Sequence, residues 1–150
     1  MTTLLALDIR TVILLLFFGN LIAVGVFTAY RRDNFAERPY RLFLAGKLLQ
    51  AFAWALLALR GAISDLLSID IGNAMLFTGF ALETLAFAAA TERASRRLVA
   101  AVALLTLLGC VIFWILGSTG STRVAIASMV SAALLGTMVG FLLRIPDTSH

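Results

Sequence analysis

Long apolar runs alternate with short polar links along the whole chain. A helix that crosses a membrane needs about 20 consecutive, mainly apolar residues. The pattern predicts five such spans, at residues 9–30, 42–59, 71–90, 98–116 and 124–143. Because helices satisfy their backbone polar groups internally, as a bilayer requires, we expect one all-α integral membrane domain over residues 1–150, folded as a five-helix transmembrane bundle.

The link between the second and third spans differs from the other links. It reads RGAISDLLSIDIGN, residues 60–73, and it mixes charged, small and apolar side chains. We interpret it as an interfacial turn or short helix, because its apolar residues would then face headgroups or the bundle.

Arginines are distributed unevenly between the two sets of links. Eight lie in the links 31–41 and 91–97 and after the fifth span, whereas Arg10, Arg60 and Arg123 lie on the other side. Positively charged residues accumulate on the cytoplasmic side of membrane proteins. This distribution predicts a multi-pass membrane protein with its N-terminus outside and its C-terminus in the cytoplasm.

The amino-acid composition excludes several classes of function. The chain is 61% hydrophobic and 13% charged, where soluble domains are nearer half apolar and a quarter charged. Its net charge of +4 forms no basic face or nucleic-acid motif, so the expected partner is the lipid bilayer and not nucleic acid. A single cysteine, Cys110, and a single histidine, His150, leave no catalytic set, metal site or cofactor site, and we expect no enzymatic activity.

Two charged residues interrupt the apolar runs: Lys47, within FLAGKLLQAFAW (43–54), and Glu83, in the third span. From the predicted inner ends they lie about 7–8 Å and 10–11 Å deep. Because the second and third spans are antiparallel neighbours, we hypothesise an interhelical ion pair. Lys47 could instead snorkel to the headgroups, Glu83 could be protonated and hydrogen-bonded, or either could serve ligand or proton binding.

Other polar and aromatic residues share these helix faces. Gln50 and Trp54 follow Lys47 by three and seven positions, and Asn73 and Glu83 lie on one face of the third span. The spacing predicts a polar track with aromatic walls, which Asn20 of the first span could join by a hydrogen bond. The simpler interpretation of this track is that its residues form hydrogen bonds between helices. The more specific interpretation is that they form a signal or ligand site. The candidate residues are Lys47, Glu83, Gln50, Asn73, Asn20 and Trp54.

Small residues recur every fourth position in the fifth span, at Ser128, Ala132, Gly136 and Gly140. Such a ridge lets two helix backbones approach closely. Packing within the bundle is the simpler interpretation, and a homodimer seam is the alternative.

Three apolar segments with a few polar residues follow one another in a recognisable order: LDIRTVILLLFFGNL, YRLFLAGKLLQAFAWALLALRG and DLLSIDIGNAMLFTGFALETLA. Over about residues 7 to 90 the chain resembles the multi-span N-terminal region of some bacterial diguanylate cyclases with a GGDEF output domain, and of related sensor kinases. The resemblance implies a dimeric membrane input domain. The chain contains no GGDEF or kinase sequence, so we expect either a cytoplasmic output domain C-terminal to His150 in the native protein or a stand-alone relative.

These observations favour a membrane sensory or regulatory input module. A small proton-coupled transporter that uses Glu83 is the alternative, although no inverted repeat or helix broken by glycine or proline is evident. A chromophore bound to Lys47 as a Schiff base, with Glu83 as its counter-ion, is a more remote third hypothesis.

Overall fold

The computed structural model describes residues 9–30, 37–117 and 119–142, and every regular element in these ranges is helical. The five helices are α1 (Ile9–Tyr30), α2 (Arg38–Ala58), α3 (Gly72–Ala90), α4 (Arg96–Leu116) and α5 (Gly120–Leu142). Each is long and apolar enough to cross a membrane, which confirms the expectation of five helices of membrane-spanning length. The end of the predicted fifth span, at residue 143, lies outside the described residues.

Several helices begin before their predicted starts, because their first turns are polar. Helix α2 begins four residues early, at Arg38, with Pro39 in its first turn. A proline is tolerated there because the first N–H groups of a helix have no partner within the helix. Helix α4 begins at Arg96, where the hydroxyl of Ser95 accepts a hydrogen bond from the Leu98 amide at 3.2 Å. Hydropathy alone does not detect such starts.

The interpretation of residues 60–73 as a turn or short helix agrees with the helix in their second half, but that helix is not a separate element. A π-helical segment, Leu66–Ile71, runs directly into α3, and together they form one helix of 25 residues. Ser68 and Ile69 are buried within this segment, and the Ser68 hydroxyl donates to the Ser64 carbonyl at 3.1 Å. The connector is therefore only residues 59–65, and the third apolar helix is longer than predicted.

Helix α3 is the centre of the bundle. It packs against α2 on one side and against α4 and α5 on the other, while α1 packs against α2. Phe77 of α3 meets Phe113 of α4 edge to face, with ring centroids 6.0 Å apart, and Leu134 of α5 is fully buried beside them. Every other described helix therefore reaches α3 directly or through α2.

The outward faces of the helices are strongly apolar. Trp114, Ile115 and Met129 are 72%, 69% and 73% exposed, and most of α1 is uncovered. Soluble proteins rarely expose continuous apolar surface of this extent. The surface suits helices that are surrounded by lipid.

Candidate functional site

A close crossing of α2 and α3 positions the candidate site. A Cβ atom at Gly46 would lie 2.8 Å from the Gly79 carbonyl oxygen, and one at Gly79 would lie 2.9 Å from the Gly46 carbonyl oxygen. Such distances are too short for a real side chain, so only a glycine pair allows this approach of the two backbones. Sequence analysis missed this contact, although Gly46 directly precedes Lys47 and Gly79 lies one turn before Glu83.

The crossing brings Lys47 and Glu83 together, as hypothesised. The ammonium nitrogen Nζ of Lys47 lies 2.5 Å from Oε1 of Glu83, and the two side chains are 21% and 6% exposed. The contact has the distance of an ion pair without the angles of a hydrogen bond. Lys47 Nζ also lies 5.6 Å from the ring centroid of Phe43, within cation–π range. The lysine is thus held between a carboxylate and an aromatic ring.

Gln50 completes this polar cluster. Its Oε1 accepts a weak hydrogen bond from Lys47 Nζ at 3.4 Å, and the side chain is almost fully buried. Its Nε2 donor has no hydrogen-bond partner among the described residues. A buried donor without a partner costs free energy, so the cluster is held less tightly than a fully paired network.

The other members of the predicted polar track form no hydrogen bond to Lys47, Gln50 or Glu83 among the described residues. Asn73 donates to the Ile69 carbonyl at 2.7 Å, and Asn20 donates to the Leu16 carbonyl at 2.7 Å, each within its own helix. Trp54 is half-buried on α2. Asn73 precedes Glu83 by ten positions, or about 15 Å along a helix. The hydrogen bond by which Asn20 was expected to join the track is not formed within the described residues, because its amide donates to a backbone carbonyl one turn back, as the Asn73 amide does.

Thr84, which sequence analysis did not single out, connects α3 to α5. Its hydroxyl lies 3.1 Å from the Leu134 carbonyl of α5 and 2.9 Å from the Phe80 carbonyl of its own helix. The side chain is fully buried. Because Glu83 and Thr84 are consecutive, α3 makes its polar contacts to α2 and to α5 at the same height along its axis.

The small-residue ridge of α5 does not pack within the bundle, which contradicts the simpler interpretation. Ser128, Ala132 and Gly136 are exposed, and a Cβ added at Gly136 or Gly140 would meet nothing within 4 Å. The inward face of α5 instead carries Val130 and Leu134. A regular four-residue spacing shows that these residues share one face of the helix, but it does not show whether that face points into the bundle or away from it.

The polar cluster does not line the well-defined cavities of the described region. Lys47, Gln50 and Glu83 are absent from the walls of three of these cavities, although Phe43 lines one of them. No group of three or more histidine, cysteine, aspartate or glutamate residues that could hold a metal ion occurs in the described ranges. The geometry of the cluster therefore favours a contact between helices over a site on a permeation path.

Comparisons with protein-family models, with curated proteins and with solved structures gave no match. The resemblance to the membrane region of GGDEF proteins therefore stays a prediction, and the function proposed next rests on the site itself.

Proposed function

We propose that the chain is a multi-pass protein of a bacterial inner membrane, with its N-terminus outside and its C-terminus in the cytoplasm. Five apolar helices with uncovered apolar faces support insertion. The start of α2, the end of α3 and the start of α4 share one end of the bundle, and arginines cluster there at 38, 41, 93, 96 and 97. A reporter fused after His150 is expected to be active only in the cytoplasm, and periplasmic activity would contradict this orientation.

Within the membrane, the proposed role is that of a non-enzymatic sensory or regulatory module. It would act on a cytoplasmic output domain C-terminal to His150. The observation that carries the proposal is the Lys47–Glu83 pair, buried at the glycine crossing one residue from the Thr84 link. An ion pair with an incomplete hydrogen-bond network provides two arrangements, closed and separated, and a stimulus that favours one of them shifts the population.

The connection from this pair to the output follows the packing of α3. A movement of α2 relative to α3 displaces Glu83 along the axis of α3. The neighbouring Thr84 moves with it and, through its hydrogen bond to the Leu134 carbonyl, displaces α5. Helix α5 is the last helix of the described residues, so its displacement is the natural signal to a domain attached C-terminal to it.

The test is a fusion of the chain to a diguanylate cyclase output domain, with cyclic diguanylate measured in cells. The linker between the chain and the output domain is lengthened one residue at a time over one helical turn. This series separates effects of the rotational register of the output domain from effects of signalling. Lys47→Met, Glu83→Gln and Thr84→Val are each expected to change the output by about threefold or more, since each biases the two arrangements.

Thr78→Val is the matched control for Thr84→Val. Thr78 is exposed and its hydroxyl bonds only within α3, to the Ala74 carbonyl at 2.8 Å, so its loss is expected to leave the output unchanged. Equal output from all variants and the wild type at every linker length would contradict the sensory role. A proton-coupled flux in liposomes that requires Glu83 would favour the transporter instead.

A further inference from the structure

A separate cleft lies between the ends of α1, α2 and α3. Its volume is about 510 Å³, and its floor is formed by Ala86, Ala89 and Ala90. Four aromatic side chains provide its walls: Phe27, Tyr40, Phe43 and Phe87. Cavities of this size with aromatic walls are typical of small-molecule sites.

The charged residues that line the cleft are both acidic. Glu37, before the start of α2, and Glu92, after the end of α3, lie at its exposed edge. Arg38 and Arg93 are their neighbours in sequence but do not line the cleft. Carboxylates beside aromatic faces attract organic cations, through direct charge interaction and through the negative face of the ring.

Glu92 occupies a backbone position that usually belongs to glycine. Its φ is 56°, and the turn has the Schellman pattern, with the Glu92 amide bonded to the Ala89 carbonyl at 3.2 Å and the Arg93 amide to the Ala88 carbonyl at 2.8 Å. A carboxylate is also disfavoured at the C-terminus of a helix, where the dipole is already negative. The Glu92 carboxylate and the negative end of the helix dipole together place negative potential at the edge of the cleft.

The carboxylate of Glu92 has no hydrogen bond or ion pair to any described residue. Lys47, whose ammonium group lies 5.6 Å from the Phe43 ring centroid, is compensated by Glu83. Glu37 already has a partner, so among the described residues Glu92 is the carboxylate at the mouth of the cleft that a cationic ligand can meet.

We infer that this cleft binds a small amphipathic organic cation, a quaternary or protonated amine with an aromatic or alkyl body. The body would lie against Phe43 and Phe87, and the cationic group would lie near Glu92. This site goes beyond the proposed regulatory role and does not depend on it, because binding here requires neither an output domain nor movement of the ion pair.

The test measures binding to the full chain in nanodiscs of zwitterionic lipid, with empty nanodiscs subtracted. The probe is a naphthylmethyl-trimethylammonium ion, followed by its fluorescence. The comparison ligand is its neutral analogue, in which carbon replaces the charged nitrogen. The neutral analogue is expected to bind about tenfold more weakly or worse.

Three variants assign the binding to the cleft, and two more are controls. Glu92→Gln and Glu92→Gly remove the charge, the second while keeping a backbone suited to the turn, and each is expected to weaken cation binding about threefold to tenfold. Phe87→Leu is expected to have a similar effect. Asp65→Asn, in the loop at the opposite end, and Phe52→Leu, on the outer face of α2, are controls that should stay within about twofold.

Equal affinity for the cation and its neutral analogue would overturn the inference and identify the cleft as an apolar groove for a lipid chain. It would likewise be overturned if the wild type does not bind the cation, or if Glu92→Gln and Glu92→Gly both bind it as the wild type does. None of these results bears on the fusion test of the regulatory role.

Discussion

Lys47 and Glu83 carry opposite charges inside helices that are otherwise apolar. Each alone would cost about 2.5–3.5 kcal/mol near the centre of a membrane helix, and their contact at 2.5 Å offsets much of that cost. Removing one partner leaves the other buried and uncompensated, which is worse than removing both. Lys47 is the more exposed of the two, so it can reach the headgroups, whereas Glu83 has no such route.

Glu92 permits a stability prediction at the same scale. Replacing it by glycine should stabilise the protein by about 0.5–1 kcal/mol, because glycine adopts a positive φ without steric cost and the substitution removes a carboxylate from a helix C-terminus. Thermal unfolding in detergent measures the change. Glu92→Ala is the control, since alanine removes the charge but keeps the strain. A less stable Glu92→Gly protein would show that the Glu92 side chain makes a stabilising contact.

At the scale of elements, the glycine crossing decides how α2 and α3 meet. The Gly46–Gly79 contact brings the backbones close enough for Lys47 to reach across to Glu83. A second close contact, where a Cβ at Gly109 of α4 would lie 2.7 Å from Val130 of α5, performs the same role elsewhere. In both places the close packing depends on glycine, a pair of glycines at the first contact and Gly109 alone at the second.

Gly79→Leu is expected to force α2 away from α3 and to destabilise the protein by about 1–3 kcal/mol, the usual cost of overpacking. Its Cβ would meet Gln50 Cγ at 2.7 Å and the Gly46 carbonyl at 2.9 Å. Gly19→Leu is the matched control, since its Cβ meets nothing within 4 Å. Unfolding in a graded detergent series measures both. Equal stability of the two variants would mean that the crossing is loose in solution.

At the scale of the whole molecule, the uncovered ridge of α5 is the best candidate for a contact between two copies. Ser128, Ala132 and Gly136 face away from the bundle, and the space beside Gly136 is open. We therefore propose the homodimer that the small-residue spacing and the family resemblance suggest. A seam on α5 would place the two C-termini side by side, where paired output domains would meet.

The dimer is tested by disulfide trapping of Ala132→Cys in a Cys110→Ala background. The wild-type ridge is expected to give a covalent dimer, and Gly136→Leu should reduce dimerisation by about fivefold or more, because the two backbones can no longer approach. Gly25→Leu, on an equally open face of α1, is the control. Trapping that Gly136→Leu leaves unchanged would exclude this seam.

Parts of this structure could be predicted from sequence because they depend on local composition. Five apolar runs gave five helices, and the depths of Lys47 and Glu83 on antiparallel neighbours predicted their contact. The other features depend on which surfaces of two neighbouring helices face each other, and the composition of one helix does not contain that information. Hydropathy does not show that Gly46 meets Gly79, that Asn20 and Asn73 bond to their own helices, or that the α5 ridge points outward. The sequence allowed a short helix within residues 60–73, but its polar residues gave no sign that this helix continues into the third span.

A double-mutant cycle tests the central claim, that Lys47 and Glu83 couple α2 to α3. Unfolding free energies are measured for the wild type, Lys47→Met, Glu83→Gln and the double variant under one set of detergent conditions. The pair predicts that the double variant loses less stability than the two single losses together, with a coupling of about 1–3 kcal/mol. Single effects that simply add would contradict it and leave the two residues as independent polar groups in neighbouring helices.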